Sequence, residues 1–252
     1  MPQTDRWPSR LWLVRHGQSA GNVARDAAHA AGDARIDLNL RDTDVPLSGL
    51  GEAQSDALAH WFAGLDPGLR PEVILTSPYR RARQTADAVV IGGGTAGEVK
   101  PCLDERLRER EFGQLDRLTT AGIRALYPDQ AEARALLGKF YHRPPGGESW
   151  CDVILRLRSA MDTLSLHHCG QNVLIVAHQV VVLCFRYLLE GLDEAQLLAI
   201  DAEGDVANCG VTEYRASADG RGMTLVRYNF VAPLREEGAP VTTAPDAPVA
   251  AR

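Results

Sequence analysis

Long hydrophobic runs are missing from this sequence. The first apolar stretch, Leu11 to Val14, is far too short for a signal-peptide core or a membrane span, and no later stretch approaches transmembrane length. Cysteine is scarce and unordered. The five residues (Cys102, Cys151, Cys169, Cys184 and Cys209) are an odd number, widely scattered and without a CxxC pair. That pattern predicts reduced, mostly buried thiols in a cytoplasmic protein rather than a disulfide framework. No excess of positive charge exists either: 27 Lys and Arg stand against 33 Asp and Glu, a net charge of −6. Whole-protein attraction to nucleic acid or to an anionic membrane is thereby excluded, and any basic site must be local. Metal-ligand spacing is also lacking. His167-His168-Cys169 falls where a helix should end, so neither a metal nor another cofactor is expected. What remains, 252 residues at 45% hydrophobic and 24% charged, is an ordinary globular composition long enough to bury a full core.

Leu11-Trp12-Leu13-Val14 is apolar on both faces, as a central parallel strand must be, and stops at Arg15-His16-Gly17. The polar, Ala-rich sequence up to Asp44 reads as a long loop with at most one short helix. Ser48 reads as the N-cap of a helix whose stripe is Leu50, Ala53, Ala57, Trp61 and Leu65. A second strand, Glu72 to Thr76, ends at Ser77-Pro78, a combination of N-cap and first helical residue, and the helix runs to about Ile91. A third strand is expected over Val99 to Leu103. Helical sequence over 119–140 is broken near Pro128, and Pro144 to Gly147 is a turn. Trp150 to Leu164 is strongly periodic, Asn172 to Ala177 is another buried strand, and a helix follows over 180–189. Residues 209–215 and 223–230 form a hairpin. The alternation predicts a three-layer α/β/α sandwich with a mostly parallel sheet, one domain over 1–232, and a mobile tail over 233–252.

Four polar signals share one address. Arg15-His16, Ser77 to Arg81 and His178 each follow a strand, and Glu109 lies shortly after the third. In open α/β sheets the ligand crevice lies beyond the carboxyl ends of the strands. Two arginines and two histidines meeting there suit a phosphate group, which needs forked, planar donors.

Leu13 to Ser19 with Asn22 resembles the opening motif of the histidine phosphatase superfamily, in its phosphoglycerate mutase-like branch. The resemblance continues in order. Pro46-Leu47-Ser48 with Gly51 and Gln54 is similar to the P-L-T/S-x-x-G-x-x-Q helix start. Ser77 with Arg81-Ala82-Arg83-Gln84-Thr85 is similar to S-x-x-x-R-A-x-Q-T, and Leu107-Arg108-Glu109 with Phe112-Gly113 to L-x-E-x-x-F-G. Pro145 to Ser149 is similar to the P-G-G-E-S turn, and Val176-Ala177-His178 to the second histidine motif. The motifs span residues 11 to 190.

The resemblance implies that His16 is the nucleophile, that Arg15, Arg81 and His178 hold the phosphoryl oxygens, and that Glu109 protonates the leaving oxygen. Gln18, Ser19, Asn22 and Gln179 would line the phosphate pocket. Neutral imidazole is nucleophilic near pH 7, and clustered cations can offset the charge of a transferring phosphoryl group without Mg²⁺. Read alone, several of these residues are ambiguous. Arg81 sits in an Arg-Arg-Ala-Arg run and is selected over Arg80 and Arg83 only by the motif frame. Glu109 sits in a charge-dense segment where Glu111 is the rival acid.

Gln179 follows the second histidine where many members have Gly, a departure that looks closer to the bisphosphatase domain of fructose-2,6-bisphosphate metabolism. Only 36 residues separate Glu109 from Gly146, an interval that looks longer in true mutases, so water should reach phosphohistidine easily. The expectation is a metal-independent phosphatase of a small phosphomonoester. Mutase-type transfer, or a non-catalytic binding member of the fold, are the alternatives. The segment 23–45, with Arg25, His29, Arg35, Arg41 and five aspartates, is either a substrate-reading lid or a solvated excursion.

Overall fold

The computed structural model describes residues 6–243. The strands are β1 (Arg10–Arg15), β2 (Val73–Thr76), β3 (Cys102–Leu103), β4 (Asn172–Ala177), β5 (Val211–Ala216) and β6 (Met223–Phe230). The helices are α1 (Ala20–Ala31), α2 (Gly49–Ala63), α3 (Arg80–Ile91), α4 (Thr120–Leu126), α5 (Pro128–Tyr141), α6 (Trp150–His167), α7 (Gln179–Glu190), α8 (Glu194–Glu203) and α9 (Ala232–Glu236). One sheet has the order β3-β2-β4-β1-β5-β6. β1 to β4 are mutually parallel; β5 and β6 are antiparallel and close one side.

Strand alternation sorts the core into two layers. Trp12 and Val14 of β1 and Leu174 and Val176 of β4 face Leu58 and Phe62 of α2 and Val89 of α3. Trp12 meets Phe62 edge-on at 5.4 Å between ring centres. Leu11, Leu13, Val173 and Ile175 face the opposite way, onto Trp150 and Leu157 of α6 and Val181 and Phe185 of α7. Burying each such side chain contributes roughly 1.5–3 kcal/mol. The result is the expected three-layer sandwich with a mostly parallel sheet.

Several local expectations need correction. The supposed loop after Gly17 contains α1, a full helix of 12 residues. Only Ala28 of it is buried, so no apolar stripe advertises it. Alanine propensity, a reciprocal capping box between Ser19 and Asn22, and left-handed Gly32 at its end hold it instead. On α2 the buried face is Gly51, Gln54, Ser55, Ala57, Leu58, Ala59 and Phe62; of the expected stripe Ala57 is buried, Trp61 and Leu65 pack half-buried against the core, and Ala53 is exposed. Ser77 caps nothing: α3 starts at Arg80, after an extended Tyr79. β3 is shorter than expected, α8 was not anticipated, and Cys102 and Cys169 are exposed rather than buried. In the segment assigned to a mobile tail, Pro233 and Leu234 are buried on the α2 side and Thr242 accepts from Asn208 N. Residues 244–252 lie outside the described region.

The unexpected stripe of α2 exists to receive the loop after β1. Gln54 Oε1 accepts from Gln18 N at 2.8 Å, and Gly17 N donates to Thr85 Oγ1 at 3.0 Å. The backbones approach so closely that a Cβ on Gly51 would lie 1.9 Å from Gln18 O. Gly51→Ala should therefore destabilise the fold by roughly 2 kcal/mol, as overpacking does. It should also lower any activity that depends on the loop after His16, because backbone and not a flexible side chain must yield. Denaturant melts and turnover of the same preparation measure both effects.

Candidate active site

The register of the parallel strands brings three polar residues together. His16 N donates to Ala177 O and Ser77 N donates to Val176 O, both at 3.0 Å. His16, Ser77 and His178 thus leave the carboxyl ends of β1, β2 and β4 side by side. The two imidazole rings are 5.1 Å apart between centres and meet edge-on.

His16 is buried, and its Nδ1 lies 2.7 Å from Gly17 O. A carbonyl only accepts, so Nδ1 carries the proton and Nε2 keeps its lone pair. Arg81 Nε donates to that Nε2 at 3.2 Å. Burial, followed by the Arg81 and Arg15 guanidiniums, holds His16 well below the ordinary imidazole range, so the ring is neutral. The same forces act on His178, which burial, Arg81 and His16 also keep neutral in the empty site. His178 Nε2 lies 2.8 Å from Ser77 Oγ, and Nδ1 lies 3.7 Å from Glu109 Oε2.

Arg15 is buried and donates through Nη1 to Val206 O at 2.5 Å. Asn208 Nδ2 donates to His16 O at 3.0 Å, and Cys209 N to Arg15 O at 3.0 Å, so the loop between α8 and β5 pins the Arg15-His16 backbone. Arg81 is buried with its guanidinium 5.0 Å from the Tyr79 ring centre. Its fork is engaged by Asp42: Nη1 reaches Oδ1 at 2.9 Å and Nη2 reaches Oδ2 at 3.2 Å. A carboxylate thus sits on the face of Arg81 where phosphoryl oxygens would be received.

Glu109 lines the same cavity as His16, whereas Glu111 points away and accepts from Tyr79 OH at 2.9 Å. The segment between them is held from behind by Glu148. That buried carboxylate accepts from Arg108 Nη2 (2.6 Å), Arg156 Nε (3.0 Å) and Glu111 N (3.1 Å). Arg156 also donates to Glu109 O at 3.3 Å, and Arg110 Nε to Glu148 O at 2.7 Å.

The cavity measures about 320 Å³ and is lined by Arg15, His16, Arg81, Glu109, Ser19, Asn22 and Gln179 among others. Ser19 and Asn22 reach it with their polar atoms engaged in the α1 capping box. Gln179 donates to Asp205 Oδ1 at 2.6 Å, and its buried Oε1 has no hydrogen-bond partner among the described residues. Gln18, expected in the pocket, is not part of its lining. Its Oε1 instead accepts from Ser48 Oγ at 2.8 Å and ties the loop to the start of α2. Among the described residues no group of three or more His, Cys, Asp or Glu is placed to hold a metal ion. No helix there is long and apolar enough to cross a membrane.

Sequence reasoning brought Ser77 to the crevice without giving it a role, and missed Asp42, Glu148 and Asn208 as parts of the site. Ser77 was signalled: it follows a strand end as His16 and His178 do. Glu148 stood inside a matched motif whose role is to hold Glu109's segment. Asp42 was one of five similar aspartates, and nothing local marks Asn208.

Comparison with known proteins shows the family. The model of the histidine phosphatase superfamily (branch 1) matches residues 11–230. A 6-phosphofructo-2-kinase/fructose-2,6-bisphosphatase of Caenorhabditis elegans is 34% identical over 70% of this chain and 33% of its own length. A 2,3-bisphosphoglycerate-dependent phosphoglycerate mutase of Methylobacterium radiotolerans is 34% identical over 74% of this chain and 82% of its own. The structure of a mycobacterial glucosyl-3-phosphoglycerate phosphatase superimposes with a TM-score of 0.68 at 28% identity, covering 88% of this chain and 99% of that one. The chain belongs to the histidine phosphatase superfamily, branch 1.

Proposed function

We propose that this protein hydrolyses a small phosphomonoester through a phosphohistidine at His16. The observation that carries the reading is the tautomer lock: Nδ1 is tied to Gly17 O, and Nε2 is left basic beside Arg81 in a cavity. In the first step the Nε2 lone pair attacks phosphorus and the ester P–O bond breaks. The departing alkoxide takes a proton from Glu109. Arg15 and Arg81 hold the phosphoryl oxygens, with Asp42 returning to solvent. In the second step water attacks the phosphoryl group, Glu109 takes its proton, and the P–N bond breaks to release orthophosphate and regenerate neutral His16. Transfer to a second hydroxyl of the substrate is the other reading, favoured by the mutase relative. Isomerisation of 3-phosphoglycerate faster than phosphate release from any ester would select it.

Labelled substrate quenched rapidly without acid, in buffer containing EDTA, should trap an acid-labile, base-stable phosphoprotein. His16→Ala should abolish it. Stoichiometric labelling of the Ala variant would refute the assignment.

Glu109→Gln removes the proton but keeps the size. On an alkyl phosphate, whose alkoxide is strongly basic, it should cost about 10²- to 10⁴-fold in rate. On p-nitrophenyl phosphate the loss should be far smaller, because the phenolate leaves unaided. Glu111→Gln, which alters a side chain outside the cavity, should show no such dependence on leaving group.

Because burial and the arginines hold His178 neutral in the empty site, a bound dianion must raise its affinity for a proton. Anion binding should therefore take up roughly one proton at pH 7, and affinity should rise as pH falls. Calorimetry with tungstate in two buffers of different ionisation enthalpy measures the uptake. Equal apparent enthalpies in both buffers would show that His178 stays neutral.

A further inference from the structure

His16 depends on one carbonyl for its tautomer, and that carbonyl belongs to the peptide between Gly17 and Gln18. Gly17 O lies 2.7 Å from Nδ1, while the N–H of the same peptide donates to Gln54 Oε1 at 2.8 Å. The preceding peptide is pinned as well, since His16 O accepts from Asn208 Nδ2 at 3.0 Å. Gln54 and Asn208 are both fully buried, so each amide keeps its orientation only while its remaining polar atoms are matched.

The matching comes from residues 240–242. Gln54 Nε2 donates to Pro240 O at 2.8 Å and to Thr242 Oγ1 at 2.9 Å. Thr242 Oγ1 donates to Asn208 Oδ1 at 3.0 Å, and Thr242 O accepts from Asn208 N at 2.9 Å. The direction of every bond is fixed from the two ends. Gln18 N can only donate, so the Gln54 atom that faces it is oxygen. His16 O can only accept, so the Asn208 atom that faces it is nitrogen. The hydroxyl between the two amides therefore accepts from Gln54 and donates to Asn208. One chain of hydrogen bonds leaves the backbone at Gln18 N, passes through Gln54, Thr242 and Asn208, and returns at His16 O. Both peptides that flank Gly17 lie inside this circuit. None of residues 240–242 lines the cavity. Ala239 N donates to Leu234 O at 2.8 Å and anchors the segment to the α2 layer.

We infer that Thr242 is a positioning residue for His16: its hydroxyl closes the circuit that holds Gly17 O against Nδ1 and so keeps the lone pair on Nε2. The inference rests on the reading of His16 as nucleophile. Thr242 touches no substrate and acts through Gln54 and Asn208. Without the hydroxyl, Asn208 Oδ1 is left buried without its donor, and Gln54 Nε2 loses an acceptor. The peptide between Gly17 and Gln18 is then free to turn. The proton of His16 can move to Nε2, where the ring no longer offers a lone pair to phosphorus.

Thr242→Val keeps the shape and deletes the hydroxyl, whereas Thr242→Ser keeps the hydroxyl. Thr242 is only half-buried, so neither variant removes core. The valine variant should slow p-nitrophenolate release in a single turnover about tenfold or more, because a misdirected nucleophile costs rate rather than binding. Its tungstate affinity, which reports on Arg15 and Arg81, should change little, and the serine variant should match wild type in both. Long-range proton–nitrogen correlation spectra of histidine-labelled protein read the tautomer, with the His16 signals identified by their loss in His16→Ala. Nδ1–H alone is expected in wild type and the serine variant, and a mixture of tautomers in the valine variant. An unchanged tautomer in the valine variant overturns the inference, whatever its stability in denaturant melts. So does a serine variant as impaired as valine. If no ester releases phosphate, hydrolysis falls and the spectra decide the circuit alone: a tautomer that follows the hydroxyl supports it, and one that ignores the hydroxyl overturns it.

Discussion

The parallel pairing of β1, β4 and β2 is the constraint from which the site follows. Arg15 is opposite Ala177 and Thr76 is opposite Val176, so His16 and His178 leave their strands at one level and Ser77 leaves one residue lower, level with Ala177. Their hydrogen bonds need no long side chain to reach across a gap, because the backbone ladder has already set the separation. A shift of one residue in β1 would also turn Leu11 and Leu13 into the layer that holds Trp12 and Val14. The hydrophobic sorting of the core and the placement of His16 are therefore one constraint, enforced by the same strand.

That arrangement buries cations, and the rest of the site is shaped by the cost. Arg15, Arg81, His16 and His178 are all nearly inaccessible. Four charges at this spacing would repel strongly, and the two imidazoles relieve the problem by staying neutral. Arg15 is satisfied in part by Val206 O, and Arg81 by the forked carboxylate of Asp42. A neutral histidine is also the nucleophilic form, so the state that makes the empty fold tolerable is the state the proposed chemistry requires.

Legibility in the sequence followed the reach of each interaction. β1, β4 and α6 were readable because their side chains declare burial at fixed periods. The catalytic candidates were readable because chemistry confines them to strand ends and to matched motifs. α1 was not, since a helix with one buried residue is held by caps and alanine rather than by an apolar stripe. The rotation of α2 was hidden because its buried face includes Gln54 and Ser55, polar residues that serve the loop after His16. Gln18 looked like a ligand-binding residue for the same reason, since its motif position reports loop support.

Asp42 connects the long segment 23–45 to the chemistry. A buried guanidinium without a partner would cost several kcal/mol, and Arg81 needs a carboxylate or its equivalent on its fork. Asp42 fills that role from a short 3-10 turn (Asp42–Asp44), and its side chain is 44% exposed while Arg81's is 6%. The asymmetry matters. On the proposed reading, an incoming phosphate would displace a carboxylate that already borders water, and Arg81 would exchange one forked acceptor for another. The same segment is clasped to the cover through Ile36 N and Arg117 O, and through Arg117 Nη1 and Leu38 O. The segment that carries Asp42 is thereby joined to the cover around Arg117.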